Sequence, residues 1–224
     1  MPNITRIVAI DGPAGAGKST TARRVARALG FAFLDTGAMY RAATWCALHN
    51  GADLDAPDAL AASTEAMELV MNETNGEQRV AVGGVDVTDA IRTPEITRLI
   101  YKLDQNPAVR RRLVALQREI GARGPTVAEG RDIGTVVFPE AACKIFLDAS
   151  LEERTRRRAR ELESKGVAVD LEALRAEIHD RDEKNRTRRD SPLKQAEDAV
   201  LVDTTDMTPD EVVDAIVRLA RERL

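Results

Sequence analysis

Aromatic side chains are scarce in this chain, since phenylalanine, tryptophan and tyrosine together make up 3% of its 224 residues. A surface that stacks nucleic-acid bases needs several such rings, and a protein that coats a phosphate backbone needs a basic excess. The chain lacks that excess too, because 33 lysines and arginines stand against 37 acidic residues and the net charge is −4. These shortages argue against nucleic acid as a partner.

Long apolar runs and paired cysteines are also missing. No hydrophobic stretch approaches the roughly 18 residues of a membrane-spanning helix, and residues 1–12 do not resemble a secretory signal. Cys46 and Cys143 form neither a CxxC pair nor a zinc pattern. We therefore expect a cytoplasmic protein with no membrane partner, built as one domain or as one domain with an insertion.

Short apolar runs predict the fold class. Most of them are continuous rather than alternating, which is typical of strands that are covered on both faces of a parallel sheet. Helical segments separate the runs, with capping residues at Ser150, Asp170 and Thr208. We predict an α/β fold with a five-stranded parallel sheet flanked by helices. The predicted strands are residues 6–11, 31–35, 126–129, 144–148 and 199–203.

Acidic residues end several of these runs, at Asp11, Asp35, Glu129 and Asp203. Ligands of open α/β sheets lie beyond the carboxyl ends of the strands, but acidic residues in such places also cap helices. Both interpretations stay open for Asp11, and capping is favoured for Asp203.

Residues 62–92 interrupt the alternation of strands and helices. Two short apolar runs flank Gly83 and Gly84, which suit the positive φ angles of a tight hairpin turn. We predict an inserted, β-containing subdomain between the second and third strands of the sheet.

The sequence GPAGAGKS at 12–19 fits the pattern GxxxxGK[ST] and lies between a predicted strand and a predicted helix. Glycines allow backbone N–H groups to surround phosphate oxygens, and the helix N-terminus adds positive charge. Lys18 can reach the β- and γ-phosphates, and the Ser19 hydroxyl suits Mg²⁺. We therefore predict a nucleoside-triphosphate site. Its residues are Gly12, Pro13, Ala14, Gly15, Ala16, Gly17, Lys18, Ser19 and Thr20.

Many arginines follow in the second half of the chain, and a guanine-reading NKxD motif is absent. Phosphoryl transfer between two anionic substrates needs several cations around the transferred group. We therefore interpret these arginines as the lining of a phosphate-rich cleft. They are Arg110, Arg131, Arg154, Arg156, Arg157, Arg158, Arg181 and Arg188.

Four segments together resemble the bacterial-type cytidylate kinases, and the likeness runs from about residue 4 to residue 219. The resemblance implies a P-loop kinase core, a monophosphate-binding region that holds the insertion, and a mobile helical lid. The segments are 11–20 (DGPAGAGKST), 34–41 (LDTGAMYR), 129–139 (EGRDIGTVVFP) and 144–150 (KIFLDAS). The implied regions are a core at 4–35, 125–150 and 199–224, a monophosphate-binding region at about 36–121 and a lid at about 150–170.

The resemblance implies that ATP, with Mg²⁺, phosphorylates CMP or dCMP in pyrimidine nucleotide metabolism. A monomer is expected. Residues matching Arg41 and Arg131 would hold the acceptor phosphate, with Thr36 and Tyr40 nearby, because arginine forks match phosphate oxygens. Two alternatives stay open: a P-loop kinase for another acceptor such as UMP, and a nucleotide switch that transfers no phosphate.

The resemblance also implies how the nucleoside is read. Residues matching Arg110, Asp132 and Arg188 would contact cytosine, and Arg181 and its neighbours would contact the ribose. A carboxylate such as Asp132 suits the exocyclic amine of cytosine. The carbonyl of uracil would leave that acid unpaired, at a cost of about 1–3 kcal/mol.

Two positions depart from the family pattern. Asn185 stands where an aspartate is frequent, and we expect weaker discrimination between ribose and deoxyribose because neutral hydrogen bonds are weaker than charged ones. Tyr101 stands where a small serine that helps to read the base is usual. Either the helix register is shifted by one residue, or the tyrosine hydroxyl substitutes for the serine.

The expected lid helix carries Arg154, Arg157 and Arg158 at i, i+3 and i+4, so that they share one face. We expect lid closure to bring this face onto the ATP phosphates. The alternative is a solvated helix on which Glu153 and Glu161 pair with the arginines. The residues predicted to be catalytic are Lys18, Arg131, Arg157 and Arg158.

Overall fold

A computed structural model of the protein describes residues 6–74, 77–164 and 166–224. Residues 4 and 5 of the expected core and Lys165 of the expected lid lie outside the described residues.

The chain contains the following strands and helices in sequence order. The first half contains β1 (Ile7–Asp11), α1 (Lys18–Leu29), β2 (Ala32–Asp35), α2 (Thr36–His49), α3 (Pro57–Glu65), β3 (Leu69–Thr74), β4 (Glu77–Val82), β5 (Val85–Asp86), α4 (Pro94–Asp104) and α5 (Pro107–Gly121). The second half contains β6 (Thr126–Gly130), a π-helical turn (Ile133–Val137), β7 (Cys143–Asp148), α6 (Leu151–Glu163), α7 (Leu171–Thr187), β8 (Val200–Asp203) and α8 (Pro209–Arg223).

Five parallel strands form the central sheet, in the order β2-β6-β1-β7-β8. Ile7 and Ala9 of β1 face one hydrophobic cluster, whereas Val8 and Ile10 face the other. Because helices cover both faces, the run at β1 is apolar without alternation. The predicted α/β fold with a five-stranded parallel sheet is confirmed.

Local capping chemistry starts the helices around the sheet. The Ser150 hydroxyl accepts a hydrogen bond from the N–H of Glu153, and Asp170 accepts one from the N–H of Glu172. Thr208 and Glu211 form a reciprocal capping box at α8. These three helix starts are where the sequence predicts them.

A small antiparallel sheet, β3-β4-β5, lies between α3 and α4. Gly83 and Gly84 have φ angles of 55° and 80°, as the predicted hairpin requires. Strand β3, which the sequence analysis did not predict, pairs with β4 along its whole length. The Gln78 side chain connects this sheet to β2, because its amide donates to the Phe33 carbonyl at 2.7 Å and accepts from the Asp35 N–H at 3.2 Å.

Within the described ranges, no helix combines the length and the apolar character that crossing a membrane requires.

Gly121 closes α5 where the helix meets the segment that follows β6. A Cβ at Gly121 would lie 2.5 Å from Cζ of Phe138. We expect Gly121→Ala to lower the free energy of unfolding by about 1–3 kcal/mol, because this overpacking outweighs the better helix propensity of alanine. Urea unfolding measures the change. Gly124→Ala is the control, since a Cβ there meets no atom within 4 Å, and equal stability of the two variants would contradict the prediction.

Candidate functional site

One cavity of about 860 Å³ opens at the carboxyl ends of β1, β2 and β6. Its lining comes from the loop before α1 and from parts of α2, α4, α6 and α7. Eleven arginine and lysine residues line it, against seven aspartates and glutamates. The cavity is therefore suited to an anionic ligand.

The loop between β1 and α1 passes very close to other backbone. A Cβ at Gly12 would lie 2.0 Å from the carbonyl oxygen of Leu147, so no side chain fits there. Gly17 has a φ of 87° and precedes α1 without a side chain that caps the helix. The N-terminus of α1 therefore keeps N–H groups available to a phosphate.

Lys18 is buried at this end, and its Nζ donates to the carbonyl of Pro13 at 2.6 Å. Burial and, to a smaller extent, the charge of the nearby Arg131 together lower the pKa of Lys18 to about 7. Burial likewise lowers the pKa of Arg181 to about 10, with Arg131 and Arg41 adding to the effect. These cations repel one another, and a bound phosphate would relieve that repulsion.

Two carboxylates lie beside the loop. The Ser19 hydroxyl donates to Oε1 of Glu129 at 2.5 Å. Burial raises the pKa of Glu129, and the charge of Asp35 raises it further. Asp35 also caps α2 through the N–H of Ala38 at 2.9 Å. Oxygen atoms suited to a hard cation therefore gather at this point.

The other strand-end acids hold backbone. Asp11 accepts hydrogen bonds at 2.7 Å from the N–H groups of Ile133 and Gly134. It therefore caps a turn from another part of the chain and not the helix that follows it. Asp203 accepts from Thr205, while Thr208 caps α8, so the favoured capping role of Asp203 is wrong.

Two arginines and an aspartate form the far end of the cavity. Nη2 of Arg110 donates to Oδ2 of Asp132 at 2.5 Å, and Nη2 of Arg188 lies 3.6 Å from Oδ1 of Asp132. The guanidinium of Arg110 stands 5.5 Å from the centre of the Tyr40 ring. In the part of the chain that the structure describes, the Tyr40 hydroxyl, Nε of Arg110 and Nη2 of Arg188 are buried without a hydrogen-bond partner. These groups can recognise a polar ligand.

One face of α4 also lines this end, and it carries a carboxylate that the sequence analysis missed. Thr97, Ile100 and Asp104 line the cavity. Burial raises the pKa of Asp104, while Arg188 and other arginines oppose that shift. The spacing of these residues along one helical face could have indicated Asp104.

Tyr101 lies outside the cavity lining and is 41% exposed, with the ammonium of Lys184 above its ring. Its hydroxyl therefore does not take the place expected for a base-reading serine. The neighbouring Ile100 faces the cavity instead, as a register shift of one residue would produce.

The arginines of α6 pair with protein groups. Arg157 donates to Glu153 at 3.0 Å and to the Thr204 carbonyl at 2.6 Å, and Arg158 donates to Glu161 at 2.6 Å. The alternative in which Glu153 and Glu161 pair with the arginines therefore describes this structure. Arg157 and Arg158 still line the cavity, whereas Arg154 is buried outside its lining.

Most of the predicted site residues come together. Gly12, Pro13, Tyr101 and Arg154 are not part of the lining, and neither is Arg156, which the sequence predicts in the cleft but which is exposed and pairs with Glu153. Those that line the cavity are Ala14, Gly15, Ala16, Gly17, Lys18, Ser19, Thr20, Thr36, Tyr40, Arg41, Arg110, Arg131, Asp132, Arg157, Arg158, Arg181, Asn185 and Arg188.

The family model and the relatives that match this chain agree on one family. The family model described as cytidylate kinase matches residues 8–222. A cytidylate kinase of Carboxydothermus hydrogenoformans is 49% identical over 212 residues, which are 95% of this chain and 96% of that protein. A bifunctional pantoate ligase/cytidylate kinase of Synechococcus sp. (strain WH7803) is 50% identical over 220 residues, which are 97% of this chain. The chain spans only 45% of that longer relative.

The solved structure of an uncharacterized protein from Eubacterium ventriosum ATCC 27560 covers 98% of this chain and 99% of its own length. The TM-score is 0.50 at 13% sequence identity, so this likeness concerns the fold alone.

The closely spaced cations lead to a prediction about the thermal stability of a Lys18 variant. Burial holds the pKa of Lys18 far below its usual value, so its charged form destabilises the ligand-free protein most fully below about pH 7. At pH 6.5 we expect Lys18→Met to raise the ligand-free Tm and to abolish the stabilisation that inorganic triphosphate gives the unmodified protein.

Thermal unfolding with and without inorganic triphosphate tests this expectation. Lys102→Met is the control, because Lys102 pairs with the exposed Asp55 away from the cavity. If Lys18→Met had a lower Tm and triphosphate still stabilised it fully, then the Lys18 charge neither destabilises the ligand-free protein nor binds phosphate.

Proposed function

The chain belongs to the cytidylate kinase family, and we propose that it transfers the γ-phosphoryl group of ATP to CMP and dCMP. The observation that carries this proposal is a single cavity with a triphosphate-binding loop at one end and the Arg110–Asp132–Arg188 group at the other. Arginines lie between the two ends. We further propose that the protein works as a monomer in the cytoplasm, since one chain supplies both ends of the cavity.

The donor site is the loop before α1. The N–H groups at the start of α1 would bind ATP phosphate oxygens, and Lys18 would leave the Pro13 carbonyl to contact the β- and γ-phosphates. An anion at this point raises the pKa of Lys18 and favours its charged form. ATP binding near neutral pH would therefore be accompanied by proton uptake at Lys18.

Transfer takes place between the two ends of the cavity. An oxygen of the CMP phosphate attacks the γ-phosphorus of ATP, the bond from that phosphorus to the bridging oxygen breaks, and ADP leaves. The attacking oxygen is already anionic at neutral pH, so no general base is required. Arg41, Arg131 and Arg181 line the cavity together and would hold the acceptor phosphate and the charge of the transferred group.

Arg157 and Arg158 line the cavity from α6. Each would exchange its present carboxylate partner for an ATP phosphate oxygen when the nucleotide binds.

Mg²⁺ suits the oxygen atoms beside the loop. Ser19 would be its protein ligand, with Glu129 and Asp35 accepting hydrogen bonds from its waters. The ion, when bound, supplies positive charge to the ATP phosphates. Among the residues that the structure describes, no group of three His, Cys, Asp or Glu side chains could hold a metal ion. In the proposed site the ion would keep most of its waters and take its other ligands from ATP.

The base end supports cytosine as the ligand. Arg110 and Arg188 hold Asp132 in place, and its carboxylate would accept the exocyclic amine of cytosine. Uracil presents a carbonyl there, which the carboxylate repels. The second end of the cavity also argues against a nucleotide switch, because a switch needs only one nucleotide pocket.

A panel of acceptors tests the proposal. With ATP and Mg²⁺, coupled ADP production should be strong with CMP and dCMP and weak with UMP, AMP and GMP. In Asp132→Asn we expect the preference for CMP over UMP, as a ratio of kcat/KM, to shrink by about 5- to 150-fold, because about 1–3 kcal/mol of discrimination is lost. Asp58→Asn, at an exposed position of α3, is the control.

If the unmodified protein used CMP and UMP equally, the proposed kinase activity would be supported but the proposed recognition of cytosine would be wrong. Absence of turnover with every monophosphate would favour the nucleotide switch.

Asn185 should set the preference between ribose and deoxyribose. It lines the cavity, and its Nδ2 donates to the Arg181 carbonyl at 2.8 Å, so the side-chain oxygen would be the atom that accepts a hydrogen bond from a sugar hydroxyl. We expect Asn185→Asp to raise the ratio of kcat/KM for CMP over dCMP by about 2- to 30-fold, because a charged acceptor binds a sugar hydroxyl more strongly. Steady-state kinetics with both substrates measures the ratio. The exposed Asn72→Asp is the control, and an unchanged ratio in Asn185→Asp would refute the assignment.

A further inference from the structure

Among the residues that the structure describes, the ion pair of Arg154 and Asp182 is the most deeply buried one that lies outside the cavity lining. Arg154 stands in the first turn of α6 and Asp182 in α7, and their exposed fractions are 5% and 2%. Neither residue lines the cavity. Burying such a pair is costly unless further hydrogen bonds satisfy both partners, so the other contacts of this pair are informative.

Those contacts converge on Ala14 in the loop before α1. Oδ1 of Asp182 accepts from the N–H of Ala14 at 3.0 Å, and Nη1 of Arg154 donates to the Ala14 carbonyl at 2.9 Å. Arg154 also donates to Oδ2 of Asp182 and to the Ala149 carbonyl. Both backbone polar groups of one loop residue are therefore held by two helices.

Gly15, the next residue of the loop, also lies close to Arg154 of α6. A Cβ at Gly15 would lie 3.1 Å from Cβ of Arg154 and 3.2 Å from its carbonyl oxygen. Helices α6 and α7 are themselves joined through Ala159, Leu174 and Ile178. The two helices thus form one unit that touches the loop at Ala14 and Gly15.

We propose that Asp182 and Arg154 are positioning residues that fix the triphosphate-binding loop by holding the N–H and C=O of Ala14. This inference rests on the proposed function, in which the loop binds ATP. The pair replaces the direct nucleotide contact that the sequence predicts for Arg154. The pair keeps the loop open for phosphate, because a free Ala14 peptide can rotate and turn its neighbours' N–H groups away.

A double variant separates this role from a merely structural one. Asp182→Leu and Arg154→Met should each lower Tm, because each leaves a buried charge unpaired. The double variant removes both charges, so its Tm should return toward that of the unmodified protein. Its Kd for ATP, titrated without CMP, should stay at least tenfold weaker because Ala14 has lost both partners.

The kinetic pattern adds a second readout. In the double variant KM for ATP should rise about tenfold, while KM for CMP stays within about twofold of normal. Asp180→Leu, in the same helix but paired with Lys184 at the surface, is the matched control and should change neither constant. Recovery of ATP affinity together with Tm, or an equal rise of both KM values, would overturn the proposal.

Asp182→Asn keeps the shape of the side chain and serves if the double variant does not fold. It should raise the Kd for ATP several-fold and leave KM for CMP unchanged, and an unchanged Kd for ATP would also overturn the proposal. The proposed function is tested separately, by whether the unmodified protein phosphorylates CMP. The positioning role of Asp182 and Arg154 is tested only by comparing the ATP affinities of the variants.

Discussion

The burial of several cations close to one another is the constraint on which this cavity depends. Burial lowers the pKa values of Lys18, Arg131 and Arg181, and in each case a neighbouring cation adds to the effect. The protein keeps these charges close together although they weaken the ligand-free fold. A bound chain of phosphates would neutralise these charges together. In the proposed function, phosphate binding would therefore relieve the same repulsion that opposes folding of the ligand-free protein.

The acidic residues of the region hold this arrangement in place. Asp11 fixes the turn behind Arg131 and Asp132, Asp35 caps α2, and Asp132 holds two arginines at the base end. Asp182 does the same for the loop before α1. Carboxylates thus set the positions of the backbone and of the arginines, while the cations face the ligand.

The sequence predicts features that depend on neighbouring residues. Continuous apolar runs predict the parallel strands because both faces of the sheet are covered, and Thr208 predicts the start of α8 through local capping. Strand β3 escapes prediction because it depends on pairing with β4. The role of Arg154 was not predicted because a motif does not show which group a side chain contacts. The position of Tyr101 was not predicted because a motif does not show which face of a helix a residue occupies. Asp104 belongs to no motif, so the sequence could have indicated it only through its spacing from Thr97 and Ile100 along one face of α4.

In the proposed function, both nucleotides bind in one cationic cavity. An analogue in which cytidine and adenosine are joined through a pentaphosphate would span both ends of this cavity, and its binding can be followed by equilibrium titration. One analogue should bind per chain, more tightly than ATP or CMP alone, and it should exclude both of them. If the analogue binds no more tightly than ATP and leaves CMP binding unchanged, the two nucleotides do not share the cavity.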